Sequence, residues 1–333
     1  MKQCFLGILG LILVVGVVGC GQGESDDGRP HFAFVTNGVD PFWSHAQAGA
    51  EEAGREYDVR VSVVMPPDDD RQKPMLEDLL SQGVDGIAVS PIDPDNQSDF
   101  LNEVAERTIL ITHDSDAPQA NRQVFIGVDN YDAGRMTGEL VKEALPDGGK
   151  VMIFIGRMEQ DNSRRRRQGV IDELLGRDHD PTRYDKPGEV LKGGGFEILG
   201  TLTDQFEEGR AKANVEDTLS RHPDIDGMIG LFAYNPPLIL TALEQAGKVG
   251  EVKVIGFDEH EPTLQGIIDG KVHGTVVQNP YDYGYLSVEV MNRLLAGDQS
   301  AIPENQFIHV PARQIRKDNV EGFWAELKER LGK

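Results

Sequence analysis

The sequence predicts an α/β protein of two similar doubly wound domains, each a parallel sheet covered on both faces by helices. Three observations carry this. Short, near-continuously apolar runs rich in β-branched residues alternate with stretches of Ala, Glu, Leu, Lys and Arg, the pattern of strands buried on both faces and joined by helices. The pattern occurs twice: Gly83-Val84-Asp85-Gly86-Ile87-Ala88-Val89 is echoed by Asp224-Ile225-Asp226-Gly227-Met228-Ile229-Gly230, and Leu110-Ile111-Thr112-His113-Asp114 by Val254-Ile255-Gly256-Phe257-Asp258. The length of 333 residues also exceeds that of a usual single domain.

At the amino terminus, Lys2 precedes an apolar run from Phe5 to Val18. That run is shorter than the about 20 residues a transmembrane helix needs. A basic flank, an apolar run and small residues make a secretory signal, predicted over residues 1–19. Val17-Val18-Gly19-Cys20 resembles the lipobox of bacterial lipoproteins, which implies that Cys20 is lipidated, begins the mature chain and anchors it to a membrane. Residues 20–30 read as a tether, since Gly, Ser and acidic residues without large apolar groups cannot repay the entropy of ordering.

Candidate strands follow at 31–37, 59–65, 86–90, 109–114 and 124–128, then at 151–155, 198–203, 227–232, 252–257 and 274–278. Residues 176–195, rich in Gly, Pro and charge, read as a surface insertion before the strand at 198.

Composition narrows the function. Of the two cysteines, Cys4 lies in the signal and Cys20 at the anchor, so the mature chain has no disulfide, Cys-based metal site or catalytic thiol, and neither metal nor cofactor is expected. The formal charge of −23 argues against nucleic acid, whose binding rests on neutralising phosphates. Arg164 to Arg167 form the one basic cluster, and such a run usually marks a solvated helix face.

Open parallel sheets bind ligands at the carboxyl ends of their strands. Those ends carry Asp40, Phe42 and Trp43, then Asp114, Arg164, Phe206, Asn235, Asp258 and Gln278. Carboxylates and amides suit the paired hydroxyls of a sugar, and flat rings suit its C–H faces. Singly, each residue has a plainer role: Asp and Asn cap helices, and Phe42 and Trp43 could pack a core.

The sequence resembles the ribose- and galactose-type periplasmic binding proteins of ATP-binding-cassette importers, from about Phe32 to Val310. The resemblance rests on the order of Asp40-Pro41-Phe42-Trp43, Ile111-Thr112-His113-Asp114, Ser163-Arg164-Arg165-Arg166 before Gly169, His222-Pro223-Asp224, Val254-Ile255-Gly256-Phe257-Asp258 and Gly274-Thr275-Val276-Val277-Gln278. It implies a type I periplasmic binding protein, with residues 31–128 plus 279–306 as one domain and 129–278 plus 307–333 as the other. A multi-segment hinge joins them, with crossings near 128–129, 278–279 and 306–307. By the same resemblance Phe42, Trp43 and Phe206 sandwich a sugar ring, and Asp114, Arg164, Asn235, Asp258 and Gln278 hydrogen-bond its hydroxyls. Where ribose-specific members carry Asn-Pro-Phe-Phe, this chain has Asp40-Pro41-Phe42-Trp43; after Asp114 it has Ser115, also assigned to the site, where they have arginine. Both departures argue against ribose itself.

The implied function is extracytoplasmic capture of a monosaccharide by a lipid-anchored monomer, its delivery to an ABC permease, and no enzymatic activity. The alternative is the same fold holding a furanose-like signal, nucleoside or polyol and reporting to a sensor kinase. Against a regulator of the lactose-repressor type, which shares this two-domain core, a signal and tether stand where its helix-turn-helix would be. Paired carboxylates could serve a glycosidase as acid and base, but no distinct nucleophile constellation is present and each carboxylate named is already accounted for as a hydroxyl partner.

Overall fold

The computed structural model describes residues 27–330. Cys20, the signal segment and most of the tether lie outside the described residues. The first half of the chain runs β1 (His31–Val35), α1 (Phe42–Glu56), β2 (Arg60–Val64), α2 (Asp69–Gln82), β3 (Gly86–Val89), α3 (Pro94–Ala105), β4 (Ile109–His113) and β5 (Phe125–Gly127). The second runs α4 (Asn130–Ala144), β6 (Gly149–Ile155), α5 (Asp161–Leu174), β7 (Leu191–Gly193), β8 (Phe196–Thr203), α6 (Glu208–Arg221), β9 (Gly227–Gly230), α7 (Asn235–Ala246), β10 (Lys253–Phe257), α8 (Glu261–Ile268) and β11 (Gly274–Val277). Then follow α9 (Pro280–Leu295), β12 (Phe307–His309), β13 (Arg313–Ile315) and α10 (Val320–Arg330).

These strands make two sheets. The first, in the order β12-β5-β4-β3-β1-β2, is parallel throughout. The second, β13-β11-β10-β9-β6-β8-β7, is parallel except at its edges, where β13 and β7 run antiparallel to their neighbours. Both are doubly wound: the order reverses at β1 in one and at β6 in the other, and that reversal opens a crevice beyond the strand ends. The inner strands are buried on both faces, β3, β9 and β11 along their whole length, because helices cover each side.

Two helix pairs brace the domains in the same way. In the first, α1 lies so close to α9 that a methyl on Gly49 would collide with the carbonyl of Tyr281, and one on Gly284 with that of Ala46. In the second, α4 meets α5 with Gly134 against the carbonyl of Arg166 and Gly169 against that of Tyr131. Any side chain at these positions would push the helices apart.

The chain passes between the sheets at 128–129, at 278–279 and at 310–312. The last crossing corrects the expected boundary at 306–307. Phe307 pairs with Phe125 in the first sheet, and their rings stack at 5.3 Å, so β12 belongs to the first domain. β13 then joins the second sheet. Strands β7, β12 and β13, of three residues each, were not expected from the sequence. The segment read as an insertion includes β7 and is tied down by charge: Arg167 donates to the carbonyl of Asp185 at 2.7 Å, and Arg177 bridges the Asp185 carboxylate at 2.6 Å.

Candidate functional site

A cavity of about 610 Å³ lies between the domains, at the carboxyl ends of the strands. On the first domain's wall, β1 delivers Asn37 and Asp40, and α1 opens with Phe42 and Trp43. Asp40 Oδ1 accepts the backbone N–H of Phe42 at 2.8 Å, so it turns the chain into α1 while still lining the cavity. Burial, opposed by that hydrogen bond, raises its pKa. Trp43 stands edge-on to Phe42 (centroids 4.9 Å apart) and to His113 (5.6 Å). His113 stacks on Phe34 at 3.9 Å, and its Nε2–H donates to the Val35 carbonyl. Burial pushes its pKa down to about 3, keeping it neutral. The tryptophan is therefore both a core residue and a cavity wall.

Asp114 and Asp258 end β4 and β10 with left-handed backbones, φ +58° and +69°. In each, the backbone N–H donates to the neighbouring strand: Asp114 to Ile126, Asp258 to Val276. Asp114 Oδ2 accepts from Ser90 Oγ (3.0 Å), Asn162 Nδ2 (3.1 Å) and Asn37 Nδ2 (3.3 Å). Asp258 Oδ1 accepts only from Gln278 Nε2, at 2.7 Å, and Gln278 Oε1 in turn accepts from the Tyr283 hydroxyl at 2.9 Å. Burial raises Asp114 to about 6, with Arg166 pulling against it. Asp258 rises to about 7, again through burial, with repulsion from Asp114 and Asp40 adding to it.

The guanidinium serving both acids belongs to Arg166. It is 1 % exposed, donates to Asn130 Oδ1 at 2.9 Å and to the Leu231 carbonyl at 2.8 Å, and lies 3.7 Å above the Phe257 ring. Asn162, one helical turn earlier on α5, shares its face. Opposite the first wall, Phe206 stands perpendicular to Phe232 with centroids 5.1 Å apart. Arg157 lies 4.4 Å over Phe206 and forms an ion pair with Asp69 of the other domain.

Of the residues expected from the sequence, Asp40, Phe42, Trp43, Asp114, Phe206, Asp258 and Gln278 meet at this cavity. Three others do not line it. Arg164, 28 % exposed, pairs with Asp95 at 2.6 Å across a separate surface cleft. A helix turns about 100° per residue, so Arg164 points about 200° away from Arg166. Ser115 is fully buried beneath Asp114 and does not reach the cavity. Asn235 sits behind the wall: its Oδ1 accepts the Phe232 N–H at 3.0 Å and its Nδ2 donates to Asp204 at 3.1 Å, fixing the turn that presents Phe232 and Tyr234. Nor is the arginine run a solvated face. Arg165 pairs with Asp161 at 2.8 Å, and Arg166 and Arg167 are buried.

The sequence reading missed Asn37, Arg157, Asn162, Arg166, Phe232 and Tyr234, all cavity-lining. Arg157, Phe232 and Tyr234 obey the same strand-end rule that found Asp40, and the i, i+4 spacing of Asn162 and Arg166 was the missed signal on α5.

Comparison with known proteins agrees with this fold. Residues 32–299 match the family model described as periplasmic binding protein domain. The ribose import binding protein RbsB of Bacillus subtilis (strain 168) is 27% identical over 263 residues, which are 77% of this chain and 78% of that one. An ABC transporter solute binding protein from Burkholderia graminis C4D1M, solved in complex with D-arabinose, superposes with a TM-score of 0.77 at 27% identity over 87% of this chain and 96% of that one. GanP, a glucose-galactose binding protein from Geobacillus stearothermophilus, shares the fold with a TM-score of 0.78 at 24% identity over 87% and 98% of the two chains. These relatives are binding proteins rather than enzymes. Among the described residues no helix is long and apolar enough to cross a membrane.

Proposed function

This chain belongs to the periplasmic binding protein family, and from that premise we propose that it captures one monosaccharide between its two domains and hands it to an ABC-type permease. The observation that carries this is the pairing of surfaces in the cavity: aromatic rings of Phe42, Trp43, Phe206 and Phe232 beside the hydrogen-bonding groups of Asp114, Asn162, Arg166, Asp258 and Gln278. A sugar needs both, since its ring faces are apolar and its rim is polar. In this reading Asn235 positions the second wall, and Arg164 and Ser115 stay outside the contact set. The three crossings between domains act as the hinge. A ligand touching both walls stabilises the closed form by its differential affinity for it. The relatives, which include a ribose import binding protein, a solute binding protein solved with D-arabinose and a glucose-galactose binding protein, support a sugar ligand. The lipobox at Cys20 supports a lipid anchor that holds the protein beside the permease.

A thermal-shift panel of pentoses and hexoses tests the proposal. At about 100 times its dissociation constant a ligand stabilises the folded state by about 2.7 kcal/mol, a rise in Tm that is easily read. Trp43→Ala should abolish that rise and Trp43→Phe should keep most of it, because stacking needs the flat face. A panel without a shift, or equal losses in the two variants, overturns the reading.

A further inference from the structure

Resting on monosaccharide capture at this same cavity, we infer that the sugar carries a positively charged amine, seated between Asp40 on one wall and Asp258 on the other. The cavity is acidic. Six aspartates and two glutamates line the cavity, against two arginines and no lysine or histidine. Arg157 is paired with Asp69, and Arg166, whose donors go to Asn130 and the Leu231 carbonyl, is the one guanidinium that the three inner aspartates, Asp40, Asp114 and Asp258, have between them. The acids at the mouth, Asp68 to Asp70 and Glu207 to Glu208, are exposed and well solvated. Those inside are not.

Hydrogen-bonding capacity gives an independent indication. Asp114 is saturated at Oδ2 by three donors, but Asp40 and Asp258 each receive one hydrogen bond, on Oδ1, and among the described residues nothing donates to the second oxygen. Asn162, 1 % exposed at the cavity wall, gives its Nδ2 to Asp114 and leaves Oδ1 without a partner. Asn162 Oδ1 is itself buried from solvent, so the acceptors left for a ligand are the second oxygens of Asp40 and Asp258, in an excess of negative charge. A neutral hydroxyl supplies one donor and no charge. An ammonium supplies three donors and cancels a charge that burial would otherwise penalise.

Two further observations make that cation organic. Among the described residues no group of three His, Cys, Asp or Glu side chains is arranged to hold a metal ion. The wall is also aromatic: Phe206 and Phe232 already hold the guanidinium groups of Arg157 and Arg166 over their rings, at 4.4 Å and 5.5 Å, and Phe42 and Trp43 line the cavity with no cation over them among the described residues. The pKa of Asp258 is raised chiefly by burial, with smaller repulsion from Asp114 and Asp40, and a cation beside it would relieve both costs.

The test is calorimetric titration of the full chain at pH 7.5 with D-glucosamine, D-galactosamine and 6-amino-6-deoxy-D-glucose, beside D-glucose, D-galactose and N-acetyl-D-glucosamine. At least one amine should bind about tenfold or more tightly than its parent sugar, and N-acetylation, which removes the charge, should erase the gain. Asp40→Asn keeps the Oδ1 that accepts from Phe42, so α1 should still form, while the preference for the amine should fall several-fold. If the parent sugars bind as tightly as every amine, this inference is overturned and monosaccharide capture stands. If no sugar of either set binds, capture fails and the inference with it.

Discussion

Asp114 and Asp258 occupy the same address in two domains and face different situations. Each ends a central strand, takes a left-handed backbone and hangs from the adjacent strand through its own N–H. Asp114 is met by donors from β1, β3 and α5, the elements flanking the switch points of both sheets. Asp258 is met by one amide from the end of β11. Duplicated backbone geometry therefore does not bring duplicated chemistry. Among the described residues one carboxylate has three protein donors and the other has one.

The strongest way to break this comparison is to remove the charge that the two acids share. Arg166→Met should cost about 3–5 kcal/mol of stability at neutral pH, the usual loss when one member of a buried charge cluster disappears. Adding Asp258→Asn should restore more of it than adding Asp114→Asn, because Asp114 keeps its three donors. Chemical denaturation of the variants measures this, and equal restoration by the two would mean the acids are equivalent.

A subtler effect comes from pH. A carboxyl whose folded pKa lies above its ordinary value holds more protons in the native than in the unfolded state, so stability falls as pH rises between the two values. For Asp114 that window runs from about 4 to about 6 and for Asp258 from about 4 to about 7. Glu259, pushed well up chiefly by burial, acts in the same direction. Unliganded Asp258→Asn should therefore lose less stability than the parent between pH 4.5 and 7.5, by on the order of a few kcal/mol. Parallel melting curves across that range would show that Asp258 is not raised. The smallest effect is expected at Arg164. Arg164→Ala should leave sugar affinity within about twofold, since its pair with Asp95 is solvent-accessible and such pairs contribute little. A tenfold loss on titration would return Arg164 to the site.

Much of this was legible in the sequence, and the failures have a common cause. Ten of the thirteen strands could be read because apolar runs report burial on both faces. The carboxyl-end rule then found Asp40, Phe42, Trp43, Asp114, Asp258 and Gln278 without coordinates. Direction around a helix was not readable from four consecutive arginines. Arg164 to Arg167 differ only in azimuth, and azimuth depends on where α5 begins, which Gln160 and Asp161 do not advertise: Gln160 makes no side-chain cap. Depth was equally hidden at Ser115, whose small polar side chain gives no hint that it is fully buried. Strand β12 escaped because three residues carry too little pattern to reveal which sheet they join.

Six non-glycine residues in the described chain have positive φ, and four of them, Asp114, Gln205, Phe206 and Asp258, line the cavity. A side chain in that conformation costs about 1 kcal/mol or more relative to glycine. Selection for heat resistance alone would thus favour glycine where capture requires a ring or a carboxylate, most strongly at Phe206, whose bulky side chain is least suited to the left-handed region. Thermal robustness and ligand affinity are opposing demands on the same few backbone torsions, and the residues present at these positions record which demand prevailed.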